Sequence, residues 1–171
     1  MKTLDFPQEG DHPKYFDKYL NYVKGQEFLG LMNKQVKEIE KLFESKDEAW
    51  AVSGYAKGKW SPKEVLGHIT DSERIFAYRA LSISRGEKAD LPGYDQDPYV
   101  QGAGFNSLDS KDLLSDFKIN RIAILSLLRT LDEKSLRQKG KANGSDIIVN
   151  SLFWIIPAHF AHHFQVLKEK Y

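Results

Sequence analysis

Three histidines in this chain have the residue type and spacing to hold a metal ion. His159 and His163 stand four apart in the run Pro157-Ala158-His159-Phe160-Ala161-His162-His163. On a helix that spacing stacks both imidazoles on one face, one turn apart. His68 lies in a separate segment, Trp60 to His68, that also reads as helix. If the two segments pack antiparallel, all three rings can converge on one ion. Three neutral imidazoles leave coordination positions open, as catalytic metals require. His162 competes with His163 for that face, because positions three apart also point together. His12, beside Pro13, stands apart from the group.

Other chemistry-bearing residues have two readings each. Asp71 and Ser72 follow His68 by three and four positions and could hold an imidazole in one tautomer, or simply be interhelical polar groups. Asp95 and Asp97 could face the open side of a metal, serve as a general base, or organise turns. Arg74 and Arg79 could grip a substrate carboxylate or form salt bridges between helices. Tyr94, Tyr99, Phe105 and Trp154 could wall a pocket or anchor the core and loops. Glu64 is claimed by a helix cap, described next.

The elements that must position these residues are helical. A first helical region is expected from about Lys14 to Glu44, with Phe28, Leu31, Met32, Gln35, Val36, Ile39, Leu42 and Phe43 at helical period. Gly25 and Gly30 argue against one unbroken rod. The second helix has the clearest start: Ser61 caps, Pro62 suits the first position, and Glu64 completes a Ser-x-x-Glu box. It should run to about Ser84, with Gly86 as its stop. Gly86 to Asn106 has no sustained periodicity and reads as a long loop, a feature often tied to function. A third helix follows from about Ser107 or Asp109 to Leu131. After a polar connection, Asp132–Ser145, a fourth begins within 146–150 and ends near Lys168. Pro157 inside it should remove one backbone hydrogen bond and bend it.

Four long amphipathic helices and no convincing strand predict an all-α four-helix bundle. Short first and third connections favour antiparallel neighbours, and the long second one can return along the bundle. The predicted topology is therefore up-down-down-up, with a long crossover between helices two and three. Helices two and four then run antiparallel, which puts His68, His159 and His163 at one end. The later part of the loop, from Tyr94 to Asn106, should arrive there too.

The 171 residues suit a single domain covering 1–171, with 1–12 as a flexible or extended N-terminal arm. A net charge of +1, with basic residues dispersed, argues against a nucleic-acid partner. The chain has no cysteine; disulfides, thiolate ligands and a cysteine nucleophile are therefore excluded, and any attacking thiol must be a separate molecule. No signal-like or membrane-spanning run is evident, the apolar stretch 147–156 being broken by Asn150 and Ser151. A cytoplasmic protein without membrane contact is expected.

The segment Trp60-Ser61-Pro62-Lys63-Glu64-Val65-Leu66-Gly67-His68-Ile69-Thr70-Asp71-Ser72-Glu73-Arg74, the triplet Asp95-Gln96-Asp97 and the terminal His159-x-x-His162-His163 together resemble the DinB/YfiT-like metalloprotein superfamily. The resemblance covers roughly Tyr55 to Tyr171. It implies one divalent metal, nickel or zinc most often, with iron and manganese also compatible with imidazole. Its histidine triad maps onto His68, His159 and His163, which favours His163 over His162. It also implies frequent homodimers and, through a metal-activated thiol, transfer of low-molecular-weight thiols or thiol-dependent isomerisation. The alternatives are hydrolysis by metal-bound water and a non-catalytic metal-binding stress or interaction module, in which Asp97 or His162 would close the metal as a fourth ligand. One departure stands out. Where relatives commonly have Gly-His-Glu, this chain has Ala158-His159-Phe160, so a carboxylate near the site is lost.

Overall fold

The computed structural model describes residues 4–171. The helices are α1 (Asp17–Leu20), α2 (Phe28–Glu44), α3 (Glu48–Ala51), α4 (Pro62–Ser84), α5 (Gln96–Ala103), α6 (Ser110–Arg129), α7 (Glu133–Leu136) and α8 (Val149–Lys170). The four long ones, α2, α4, α6 and α8, form the bundle. Cross-helix contacts fix their directions. Tyr171 at the end of α8 donates to the Trp60 carbonyl just before α4, so these two run antiparallel. Between α4 and α6 the pairs Lys63–Leu108, Arg74–Asp116 and Glu73–Arg121 advance together, so these are parallel. Met32 meets Arg121 and Glu40 meets Lys118, which makes α2 and α6 antiparallel. Phe28 on Trp154 and Gln35 on Pro157 make α2 and α8 parallel. The result is up-down-down-up.

Local chemistry explains the long helices. The α4 cap forms as its residues predict: Ser61 Oγ accepts from Glu64 N at 3.2 Å, and Ser61 N donates to Glu64 Oε2 at 2.7 Å. At its far end Gly86 takes φ 96°, the left-handed conformation that ends a helix. The first helical region is divided. A 3-10 turn at Lys14–Phe16 leads into α1, and Gly25 at φ 80° breaks the path before Glu27 caps α2. Helix α8 continues through Pro157, and Gln35 Nε2 from α2 donates to the Pro157 carbonyl at 2.8 Å.

Two connections contain more structure than their sequence reading gave them. The segment 132–145 holds α7 and most of a hairpin, β2 (Lys139–Ala142) and β3 (Ser145–Ile148). Its turn is Asn143-Gly144, both at positive φ (52° and 74°), the dipeptide that two-residue hairpins prefer. The expectation of no strand is corrected there, since alternation is weak over strands of four residues. The segment 86–106 is not a plain loop either. Its β1 (Asp90–Leu91) pairs parallel to β2, and α5 starts at an Asp95 cap and ends at Gly104, φ 62°.

The core falls into two apolar groups. One gathers Leu20, Val23, Phe28, Phe76, Leu152 and Trp154, the other Ile39, Leu66, Ile69, Phe117, Phe160 and Leu167. Of the arm expected over 1–12, Met1–Thr3 lie outside the described residues. Leu4 is buried, the Asp5 carbonyl accepts from Asn150 Nδ2 and Trp154 Nε1, and Phe6 packs edge-on against Trp154. No helix among the described residues is long and apolar enough to cross a membrane.

Candidate metal centre

Antiparallel packing of α4 and α8 brings His68 from the second turn of α4 against His159 and His163 from the C-terminal half of α8. One ligand nitrogen from each lies within 4.8 Å of the other two. His159 Nε2 is central, 3.2 Å from His68 Nε2 and 3.0 Å from His163 Nε2. His68 and His159 are buried, and His163 is partly so. Helix α4 is held beside this cluster by close packing behind it. Phe105, arriving from the loop, lies so near Gly67 that a Cβ there would sit 2.4 Å from the ring.

The donor chemistry fits a cation. A neutral imidazole nitrogen offers one proton or one lone pair, so His159 Nε2 cannot make two good hydrogen bonds to its neighbours. An ion between the three rings would use every lone pair at once. With metal–nitrogen bonds of about 2.0–2.1 Å, cis ligands sit about 2.9 Å apart at right angles and about 3.3 Å apart in a tetrahedron. The observed separations of 3.0 and 3.2 Å fall in that interval. Electrostatics favour the neutral, ligating form of each ring. Burial pushes His68 down to about 4. Burial, then the neighbouring His68 and His162, takes His163 to about 3. Burial and the surrounding His163, His68, His162 and Arg121 put His159 well below its ordinary value. Such a group could hold a metal ion, and no carboxylate joins it among the described residues.

The other expected site residues are placed elsewhere. Asp71 faces Arg74 at 3.4 Å, and Arg74 bonds Asp116 of α6 at 2.5 Å. Ser72 Oγ bonds Tyr94 OH at 2.6 Å. The structure thus gives Asp71 and Ser72 partners other than imidazole: Asp71 the neighbouring Arg74 of α4, and Ser72 the loop's Tyr94. His159 Nδ1 is buried with no hydrogen-bond partner. His162 stacks near Tyr19 and Tyr22, with ring centres 5.0 and 5.9 Å away, at the edge of the cluster. Asp95 caps α5 by accepting from Asp97 N at 3.2 Å, and Asp97 is exposed in the first turn. Arg79 donates to the Pro92 carbonyl at 2.7 Å. Tyr94 packs on exposed Tyr99, and Trp154 is buried against Phe6 and Phe28. Trp154 is a core anchor, not a site wall.

Three more residues border the cluster, two of them, Tyr19 and Arg121, unmarked by any sequence motif. Trp60 lies 4.8 Å from the His68 ring, and Tyr19 lies 5.8 Å from the His159 ring. Arg121, buried on α6, acts on His159 electrostatically. Tyr19 comes from the broken part of the first helical region, where no period marks which face turns inward.

A family model described as the DinB superfamily matches residues 31–167. Among solved structures the fold is similar to that of YfiT from Bacillus subtilis, a probable metal-dependent hydrolase with an unusual four-helix bundle topology. The TM-score is 0.75 at 17% identity, over 95% of this chain and 89% of that one. It is also similar to a mycothiol-dependent maleylpyruvate isomerase (TM-score 0.61, 12% identity), covering 97% of this chain but 61% of the isomerase. A histidine-to-alanine variant of that isomerase gives TM-score 0.59 at 14% identity, over 92% and 59% of the two chains. This chain therefore spans about three fifths of the isomerase's length. No curated protein sequence matches it significantly.

Proposed function

This chain belongs to the DinB superfamily, and we propose that it is a metal-dependent enzyme that transfers a small-molecule thiol to an electrophile. His68, His159 and His163 would hold one divalent ion, nickel or zinc first among the candidates and iron or manganese also compatible with the ligand set. The observation that carries the reading is the three converging neutral imidazoles without a neighbouring carboxylate. The ion would supply Lewis acidity, lowering the pKa of a thiol or water that joins it. The chain's part is to keep the rings neutral by burial and to position them through α4 and α8. In the transfer, the thiol proton leaves to solvent, sulfur forms a bond to the acceptor carbon, and the acceptor's leaving group or π electrons take the displaced pair.

That no carboxylate among the described residues joins the triad favours thiol over water. Asp95 is a cap, Asp97 is exposed on α5, Asp71 is paired with Arg74, and Phe160 is apolar. A thiol ionises near pH 8.5 unaided, whereas water must be brought down from 15.7. The likeness to YfiT supports the hydrolase as the second reading. A homodimer belongs to the same proposal, supported by exposed Tyr78 and Leu81 on α4 and Ile119 and Ile122 on α6, and so does a cytoplasmic location.

The test is metal content by mass spectrometry on the protein and on His68→Ala, followed by turnover of electrophiles with and without added thiols. Stoichiometric metal, lost in the variant, with thiol-dependent turnover abolished by chelator, is the expected outcome. Metal-dependent turnover without thiol would move the assignment to the hydrolase. Bound metal with no turnover across the panel would leave the non-catalytic module.

A further inference from the structure

Resting on the thiol reading above, we infer that Lys18 is a substrate-recognition residue, taking the carboxylate of an acidic small-molecule thiol at the mouth of the histidine cluster. The two cations that the sequence offered for this task are committed elsewhere. Arg74 is bound to Asp71 and Asp116, and Arg79 to the Pro92 carbonyl. Lys18, exposed on α1, has no carboxylate partner among the described residues.

Lys18 is nevertheless held in place. Its Nζ lies 4.2 Å from the centre of the Tyr15 ring and 4.8 Å from that of Tyr19, both cation–π distances. The two tyrosine hydroxyls are joined at 2.9 Å, which fixes the rings beneath it. The Tyr19 ring then touches the cluster itself, 5.8 Å from the His159 ring and 5.0 Å from that of His162. One aromatic ring therefore separates the ammonium from a ligand-bearing histidine.

The local field favours the same ligand. The rings themselves are neutral; Lys18 acts on His162, and Arg121, itself paired with Glu73, acts on His159. No carboxylate stands in the cluster to offset a divalent ion. An anionic molecule is drawn into such a field and a cationic one is turned away. On this inference, a thiol with a carboxylate a few bonds from sulfur puts its sulfur at the imidazoles and its carboxylate at Lys18.

The experiment uses the cobalt(II)-loaded full chain, with the near-ultraviolet sulfur-to-cobalt band as the readout of thiol binding. Three probes of similar size are titrated: 3-mercaptopropionate, 2-mercaptoethanol and cysteamine. Lys18→Gln is expected to weaken 3-mercaptopropionate about two- to fivefold, the upper part of the range for one exposed ion pair, and to leave 2-mercaptoethanol unchanged. Lys18→Arg should restore the acidic probe, and high salt should erase in the parent what the substitution erases. Equal losses for the charged and neutral thiols, or no loss for either, would overturn the role of Lys18. Bound cobalt with no sulfur band for any probe would instead overturn the thiol reading, and this inference with it.

Discussion

Two buried polar clusters lie side by side in this bundle, and they are built on opposite principles. In one, Arg121 on α6 meets Glu73 on α4, with Nε 2.9 and 2.8 Å from the two carboxylate oxygens. Asn120 Nδ2 donates to the same carboxylate at 3.3 Å. The Arg121 guanidinium also donates to Gln35 Oε1 at 3.1 Å, and Gln35 Nε2 bonds the Pro157 carbonyl. All four long helices are thereby tied. The guanidinium is flanked by the Phe117 and Phe160 rings, at 4.9 and 5.3 Å. In the other cluster, three imidazole nitrogens face one another, and one ring nitrogen has no partner. The first is closed by the protein's own groups; the second asks for something from outside. Burial of polar groups is costly in both, so satisfaction, not burial, separates a structural tie from a candidate site.

The sharpest way to break this comparison is to open the closed cluster. Arg121→Leu should leave Glu73 buried and unpaired, costing about 3–5 kcal/mol in urea unfolding. A loss under 1 kcal/mol would mean the tie is not structural. Next is the open cluster. A divalent ion at a hundredfold excess over its dissociation constant should stabilise the parent by about 2.7 kcal/mol and His159→Ala not at all. Equal stabilisation of both would place the metal elsewhere.

Acid should then distinguish the two without any substitution. His68 and His163 have folded pKa values of about 4 and about 3, below the ordinary 6.5. The unfolded chain takes up protons first as pH falls below 6.5, while the folded rings stay neutral. Stability of the chelated protein is therefore full above pH 6.5 and falls as pH drops toward 4 and then 3. Each of these groups contributes at most about 1.4 kcal/mol per pH unit. A flat profile between pH 6.5 and 4 would contradict the burial of the rings. The smallest effect is expected at His162, which sits beside Tyr19 and Tyr22. His162→Gln should keep stoichiometric metal by mass spectrometry; its loss there would make His162 a ligand.

Much of the site was legible because it is carried by local rules. The four-residue spacing of His159 and His163 fixes a shared helical face whatever surrounds it. The Ser61–Glu64 box fixes where α4 starts, and so the turn on which His68 falls. Connection lengths then restricted how α4 and α8 could lie. The hairpin at Asn143-Gly144 carries the turn dipeptide such hairpins prefer, but strands of four residues are too short to show a clear alternation.

By itself, then, the sequence determined the four long helices, their order and the candidate ligands, since these follow from periodicity, caps and chain length. Tertiary structure alone decided which polar residues lie beside the histidines. Asp71, Ser72, Arg74, Arg79, Asp95 and Trp154 were plausible neighbours by spacing or type, but Asp71 is paired within its own helix, and the others found partners on another helix, in a cap, in the loop or in the N-terminal arm. Tyr19, Trp60, Lys18 and Arg121 took the places around the histidines. A side chain's partner depends on the azimuth and depth at which separate elements meet, and no local pattern encodes either quantity.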